Sequence, residues 1–233
     1  MVKLESGLYL VATPIGNLED ITLRALKVLK EVDNVVAEDT RRTKVLLNHY
    51  GIDKPITSFH DHNKVERTPA IIKLLQSGNR VAIVSDSGTP GVSDPGFYLV
   101  REAIRANLHV SAIPGPSAVL AGLVMSGFPT DRFAFEGFLP RRSGKRKKRL
   151  NELIAESRTV VFFEAPHRLI SFLKDCFEVF GDRQVALVRE LTKKFEETKR
   201  GKLSELIDYY SHTIPRGEFV IVMGGREVVN YSL

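Results

Sequence analysis

The chain of 233 residues is 43% hydrophobic and 27% charged, with a net charge of +6 and a single cysteine. That composition is ordinary for a globular protein and excludes a disordered, collagen-like or disulfide-stapled chain. The longest apolar run, Ala118 to Met125, falls short of the about 18 residues a membrane-spanning helix needs.

Leu8 to Ala12 reads as a buried strand, followed by a helical face at Ile21, Leu26, Val28, Leu29 and Val32. Asn34 to Glu38 is a second strand, and Thr40 to Tyr50 a helix closed by Gly51. Ile56 to Phe59 is a short third strand, and Ile71, Ile72, Leu74 and Leu75 mark a helix ending near Gly78. Arg80 to Ser85 is a fourth strand, Tyr98 to Ala106 is helical, and His109 to Ile113 is a fifth strand. Strands separated by helices predict a mainly parallel sheet with helices on its faces. Pro114-Gly-Pro116 and Gly127-Phe-Pro-Thr130 then punctuate the chain. The expected boundary divides a parallel-sheet α/β domain, 1–115, from a mixed α/β domain, 116–233, with a helix from Ser117 to Met125 bridging the halves. Further strands are expected near Phe133–Glu136, Thr159–Glu164, Val185–Arg189, Phe195–Arg200 and Glu218–Met223. Helices are expected near Lys145–Glu156, Leu169–Phe180 and Leu203–Tyr210.

In open α/β sheets, ligands bind outside the carboxyl ends of the strands. Here those ends read Thr13-Pro-Ile-Gly-Asn17, Glu38-Asp-Thr-Arg-Arg42, Phe59-His-Asp-His-Asn63, Asp86 to Gly96, and Pro114-Gly-Pro-Ser117. In a parallel sheet all five lie on one rim, and polar, charged and glycine-rich residues gather there. Turn chemistry accounts for one or two such loops but poorly for five. The glycines of the Asp86 to Gly96 loop allow close backbone approach to a ligand. The dinucleotide glycine pattern is absent after the first strand, and Gly137 and Gly144-Lys145 do not make a phosphate loop.

Lesser features carry less. His60 and His62 are spaced to point to opposite sides of an extended chain, so no metal is expected. His167 is a site residue or a helix-start residue, and Cys176, in an apolar helical pattern, is expected in the core. Asn230-Tyr-Ser232 fits a glycosylation pattern that has no meaning without a secretory signal, and the N-terminus shows none. With its lone cysteine, the chain is expected in a reducing cytoplasm, with no membrane partner.

The charge is concentrated. Arg141, Arg142, Lys145, Arg146, Lys147, Lys148 and Arg149 fall in nine residues without an acid, and removing those seven from a net +6 leaves −1. The alternatives are a solvated loop or a nucleic-acid-binding segment. Seven like charges without counter-charges repel one another, so the segment is expected to be mobile until phosphates neutralise it.

The stretches Leu8 to Thr22, Ala37-Glu-Asp-Thr-Arg-Arg42, Ser85 to Gly96 and Ile113-Pro-Gly-Pro-Ser-Ala118 resemble the tetrapyrrole-methylase family of S-adenosylmethionine (SAM) methyltransferases. Gly137-Phe-Leu-Pro-Arg-Arg142, Phe163-Glu-Ala-Pro-His-Arg168 and Arg189-Glu-Leu-Thr-Lys193 resemble its ribosomal RNA branch. The resemblance covers residues 6 to 226. Ser87 departs from it, since the branch is expected to carry Ala there. The resemblance implies two α/β domains of the class III methyltransferase type with SAM in the cleft between them, and a homodimer. It also implies methylation of a cytidine ribose 2′-hydroxyl in the decoding region of 16S RNA, free or within the 30S subunit. By position, Thr13, Pro14, Asp86, Ser87, Gly88, Thr89, Ser117 and Ala118 fall where the family binds SAM, with Phe163 and Arg189 completing the pocket.

A ribose hydroxyl is a poor nucleophile, so a general base would help. Glu38, Asp39, His60, Glu164, His167 and Glu190 are candidates among which the sequence does not choose. Arg41, Arg168 and Arg189 are candidates for flanking phosphates or the SAM carboxylate, and Phe138 for stacking an unstacked base. Two readings compete. A small-molecule tetrapyrrole methyltransferase would have no use for Arg141 to Arg149, and a non-catalytic RNA-binding module would not need the glycine-rich rim.

Overall fold

A computed structural model describes residues 4–226. The Asn230-Tyr-Ser232 pattern lies outside the described residues. The chain divides between Ser117 and Ala118 into two compact units.

The first unit is built on β1 (Gly7–Val11), β2 (Asn34–Ala37), β3 (Ile56–Ser58), β4 (Arg80–Val84) and β5 (Val110–Ile113). All are parallel, in the order β3-β2-β4-β1-β5. Alternate strand residues feed two cores. Tyr9, Val11, Val35, Ala37, Ala82 and Val84 pack with Ala25, Val28 and Leu29 of α1 (Leu23–Glu31) and with Leu46 and Leu47 of α2 (Thr40–His49). Leu8, Val36, Val81 and Ile83 face the other way. They pack with Ile71 and Leu75 of α3 (Lys64–Gln76) and Leu99 and Ala103 of α4 (Gly96–Arg105). A strand's period of two lets one continuous apolar run serve both helix layers. The chain therefore leaves β1 toward one face and β4 toward the other. Because β1 and β4 are neighbours, a crevice opens at their carboxyl ends, the switch point of a doubly wound sheet.

Two ends are set by side chains. The Thr22 hydroxyl accepts from the Ala25 N–H at 3.0 Å to start α1, and the Asp39 carboxylate accepts from the Arg41 N–H at 2.8 Å to start α2. One helix is longer than expected. α3 starts at Lys64 and runs through Pro69. Its first turns expose Val65, Glu66 and Arg67, so no apolar stripe announces them.

The second unit is built on β6 (Phe133–Phe138), β7 (Thr159–Glu164), β8 (Gln184–Arg189), β9 (Glu197–Lys202) and β10 (Phe219–Met223), in the order β6-β7-β10-β8-β9. β6 and β7 are parallel, and β10 runs antiparallel to both β7 and β8. β6, β7 and β8 consequently end on the same edge. One face buries Phe162, Phe219 and Ile221 under α6 (Ser143–Glu152), α7 (Leu169–Phe180) and α8 (Leu203–His212). Cys176 is buried in that core, as expected.

The helix expected to bridge the halves is α5 (Ala118–Ser126), and it belongs to the second unit. It packs on the other face of the second sheet, where a Cβ on Gly122 would stand 2.6 Å from Val220 Cγ1. Arg200 on β9 donates to the carbonyls of Met125 and Ser126, tying down its C-terminal end. β9 starts at Glu197, not Phe195, which is exposed in the preceding turn.

Candidate functional site

On the rim of the first sheet, Thr13 and Gly88 form an isolated antiparallel bridge. The Thr13 N–H donates to the Gly88 carbonyl at 2.9 Å and the Gly88 N–H to the Thr13 carbonyl at 3.0 Å. This bridge staples the loop after β1 to the loop after β4, across the crevice. The Thr13 hydroxyl donates to the Ser85 carbonyl at 3.2 Å, and the Thr89 hydroxyl to the Pro116 carbonyl at 3.4 Å, which joins the loop after β5. Gly88 sits at φ +78°, in the left-handed region that disfavours side chains. A Cβ there would stand 3.4 Å from Ile15 Cγ2 and 3.7 Å from the Pro116 carbonyl oxygen. The Gly88 N–H and carbonyl are both taken by Thr13, and with no side chain at Gly88 a ligand can approach the rim closely there. Asp94 Oδ1 accepts from the Gly91 and Gly96 N–H groups at 2.8 and 2.7 Å, closing the loop onto α4. Sequence reading did not single out Asp94; its Asp-Pro-Gly turn just before a helix is the signal that would have.

The structure separates two adjacent carboxylates that the sequence left equivalent. Asp39 accepts from the Arg41 N–H, from Nε at 3.1 Å and from Nη2 at 2.8 Å. The Arg41 guanidinium, with its own backbone N–H, holds the Asp39 carboxyl far below the usual range. Asp39 and Arg41 thus neutralise each other and leave Asp39 a poor proton acceptor. Asp86 Oδ1 accepts from the Asp39 N–H at 2.9 Å, and Arg42 Nη1 lies 3.5 Å from its other oxygen. Glu38 has no hydrogen bond or ion pair among the described residues. Burial pushes its carboxyl up, reinforced by the negative charges of Asp86, Asp94 and Asp61.

His60 and His62 lie in the turn after β3 with ring centroids 5.9 Å apart, and His60 Nδ1 is buried without a partner. Among the described residues, no group of three or more His, Cys, Asp or Glu is arranged to hold a metal ion.

The shared edge of the second sheet collects Phe138, Phe163, Glu164, His167 and Arg189. A bulge at Gly137, φ +63°, shifts the register between β6 and β7. It puts Phe135 and Phe138 on one face, their rings 5.0 and 5.5 Å from that of Phe163. Glu164, 1% exposed, accepts from the Ala165 N–H at 2.9 Å and faces Arg168 Nε at 3.0 Å. Burial pushes its carboxyl up. His167 is exposed. Arg189 pairs with Glu197 at 3.2 Å, and Glu190 accepts from Lys193 Nζ and the Glu218 N–H, both at 3.0 Å.

The expectation of a mobile segment of unpaired cations is corrected. Residues 143–152 form α6, and three of the seven cations find counter-charges from elsewhere in the chain. Arg146 is 2% exposed, with Nε 2.6 Å from Asp175 Oδ2. Lys147 Nζ is 2.6 Å from Glu178, and Arg149 forks onto Glu136 at 2.8 and 2.9 Å. These acids are distant in sequence, so local charge counting misses them.

Two α/β units, one doubly wound with glycine-rich loops stapled at its switch point, define a class of α/β protein that binds a small ligand on a strand rim. Residues 7–207 match the family of tetrapyrrole (corrin/porphyrin) methylases. The ribosomal RNA small subunit methyltransferase I of Thermotoga maritima is 52% identical over 94% of this chain and 99% of its own length. That of Mesorhizobium japonicum is 52% identical over 96% of this chain and 77% of its own. Among solved structures, diphthine synthase superposes with a TM-score of 0.71 at 17% identity, over 94% of this chain and 89% of that one. The uroporphyrin-III C-methyltransferase of Thermus thermophilus, complexed with S-adenosyl homocysteine, reaches 0.66 at 21% identity, over 96% and 98%. The chain belongs to the tetrapyrrole methylase family, as the resemblance implied. No helix among the described residues is long and apolar enough to cross a membrane.

Proposed function

We propose that this chain is a SAM-dependent methyltransferase of small-subunit ribosomal RNA that acts on the ribose 2′-hydroxyl of a cytidine in the decoding region. The observation that carries the reading is 52% identity, over nearly the whole chain, to proteins named for that RNA. Thr13, Pro14, the Asp86 to Thr89 loop and Ser117 would hold SAM on the first unit's rim. Ala118, Phe163 and Arg189 join them by position in the family. With no side chain at Gly88, the rim there is open to the close approach of such a ligand. When bound, SAM supplies a methyl group made electrophilic by its positive sulfur. Glu38 takes the proton of the attacking 2′-hydroxyl. A carboxylate with no partner and a raised proton affinity suits a general base, which contributes about 10²- to 10⁴-fold. Asp39, tied to Arg41, does not. RNA contact falls to the cationic surface that begins at Arg141. By family resemblance the working form is a cytoplasmic homodimer acting on free RNA or the 30S subunit; light scattering checks the oligomer.

The test is incubation with labelled SAM and small-subunit RNA from cells lacking this chain, followed by nucleoside mass spectrometry. Label on a cytidine ribose is the expected result. A methyl group on a base refutes the ribose assignment, and label confined to small molecules refutes the RNA reading.

A further inference from the structure

The structure divides the seven clustered cations by what they already touch. Arg146, Lys147 and Arg149 are engaged by Asp175, Glu178 and Glu136. Arg141, Arg142, Lys145 and Lys148 are exposed, and their side chains have no hydrogen bond or ion pair among the described residues. Lys145 and Lys148 are three apart on α6, and Arg141 lies four before Lys145. Lys145 and Lys148, so spaced, share one side of the helix, opposite its buried Arg146 and Leu150, and Arg141 and Arg142 lie in the turn that leads into it. No acid occupies the first turn, and the helix N-terminus adds partial positive charge.

The approach to this face is pinned from behind. Arg168 Nη2 donates to the Leu139 carbonyl at 2.7 Å, and Arg146 Nη1 to the Arg141 carbonyl at 3.4 Å. Each guanidinium is itself held by a buried carboxylate, Glu164 or Asp175. The two carbonyls bracket Pro140, so the turn carrying Arg141 and Arg142 is fixed on both sides. Just ahead of it, Phe138 is 59% exposed at the end of β6. Free cations beside an exposed ring are what a single strand asks for, phosphates on the cations and a base on the ring. An anionic membrane would also need an apolar face to insert. The exposed residues of α6, among them Lys145, Lys148, Asn151 and Glu152, include no large apolar side chain.

We propose that Arg141, Arg142, Lys145 and Lys148, with Phe138, form a preset surface for single-stranded RNA, and that Arg146 and Arg168 are positioning residues that fix it without touching RNA. The proposal rests on the rRNA reading above. The experiment measures binding of an in-vitro transcript of the decoding region against salt concentration, with phosphatidylserine vesicles as a second probe. Each phosphate contact on a single strand contributes about 0.7 to the slope of log K on log salt, so replacing the four cations with Ala lowers it by about 3. The Lys147→Ala, Arg149→Ala double variant keeps the wild-type slope. Seven equivalent cations would instead make that double variant lose about 1.4. Arg168→Gln raises KM for RNA at unchanged kcat, and Arg168→Lys, which keeps a donor for the Leu139 carbonyl, restores part of it. Equal loss per cation in the two sets, or binding to vesicles but not RNA, overturns the proposal. Wild type with no salt-dependent RNA binding overturns it together with the rRNA reading. Wild type that binds and methylates RNA while the four-Ala variant keeps its slope overturns this proposal alone.

Discussion

Removing the Asp175 carboxylate measures how α6 is held. Asp175, 7% exposed on α7, meets Ser143 Oγ at 2.9 Å, Arg146 Nε at 2.6 Å and Lys147 Nζ at 3.8 Å. Asp175→Ala leaves the Arg146 guanidinium buried without its counter-charge. Breaking a buried pair this way costs about 3–5 kcal/mol. The lower end, about 3 kcal/mol, is expected here because Arg146 Nη2 keeps the Ser171 carbonyl at 3.3 Å. Replacing both partners, Arg146→Met with Asp175→Val, removes both charges at close to the original volume. That double variant should lie within about 1 kcal/mol of wild type. Urea unfolding followed by circular dichroism supplies the energies, and hydrogen exchange of the α6 amides locates them. A cost below about 1 kcal/mol for Asp175→Ala is what an exposed ion pair gives. That result would refute both the buried docking of α6 and the ordered cationic face built on it.

Other outcomes follow from the rim. Gly88→Val places a β-branched side chain at φ +78° and should cost at least about 1–2 kcal/mol of stability and abolish SAM binding by calorimetry; unchanged affinity in a folded variant would move the site elsewhere. Because Glu38 holds its proton above the usual carboxylate range, kcat/KM should rise with pH through that raised value as the base ionises. Glu38→Gln should lose the acid limb and about 10²- to 10⁴-fold in rate; an intact limb would assign the base to another group. Gly122→Val drives a side chain into Val220, 2.6 Å from the new Cβ, and should lower stability by about 1–3 kcal/mol. An unchanged melting temperature would contradict the close packing of α5 on the second sheet.

The strands of the first unit were legible because parallel strands buried on both faces read as continuous apolar runs. Their rim was legible because loops rich in Gly, Pro and Asp recur at the strand ends. The family followed from motifs that are local in the chain. Which loops face each other was not local. Thr13 and Gly88 become partners only because β1 and β4 are neighbours, an outcome of helices crossing to opposite faces. Charge was the least legible property of all. Glu38 and Asp39 are adjacent carboxylates, yet one finds a guanidinium and the other a desolvated site among like charges. Arg141 and Arg146 belong to one basic run, yet one is exposed and the other is buried against Asp175. A run of cations reads as repulsive when its only visible neighbours are its own. The partners that reverse that reading are brought from other strands and helices, and a charge responds to what is near in space, not along the chain.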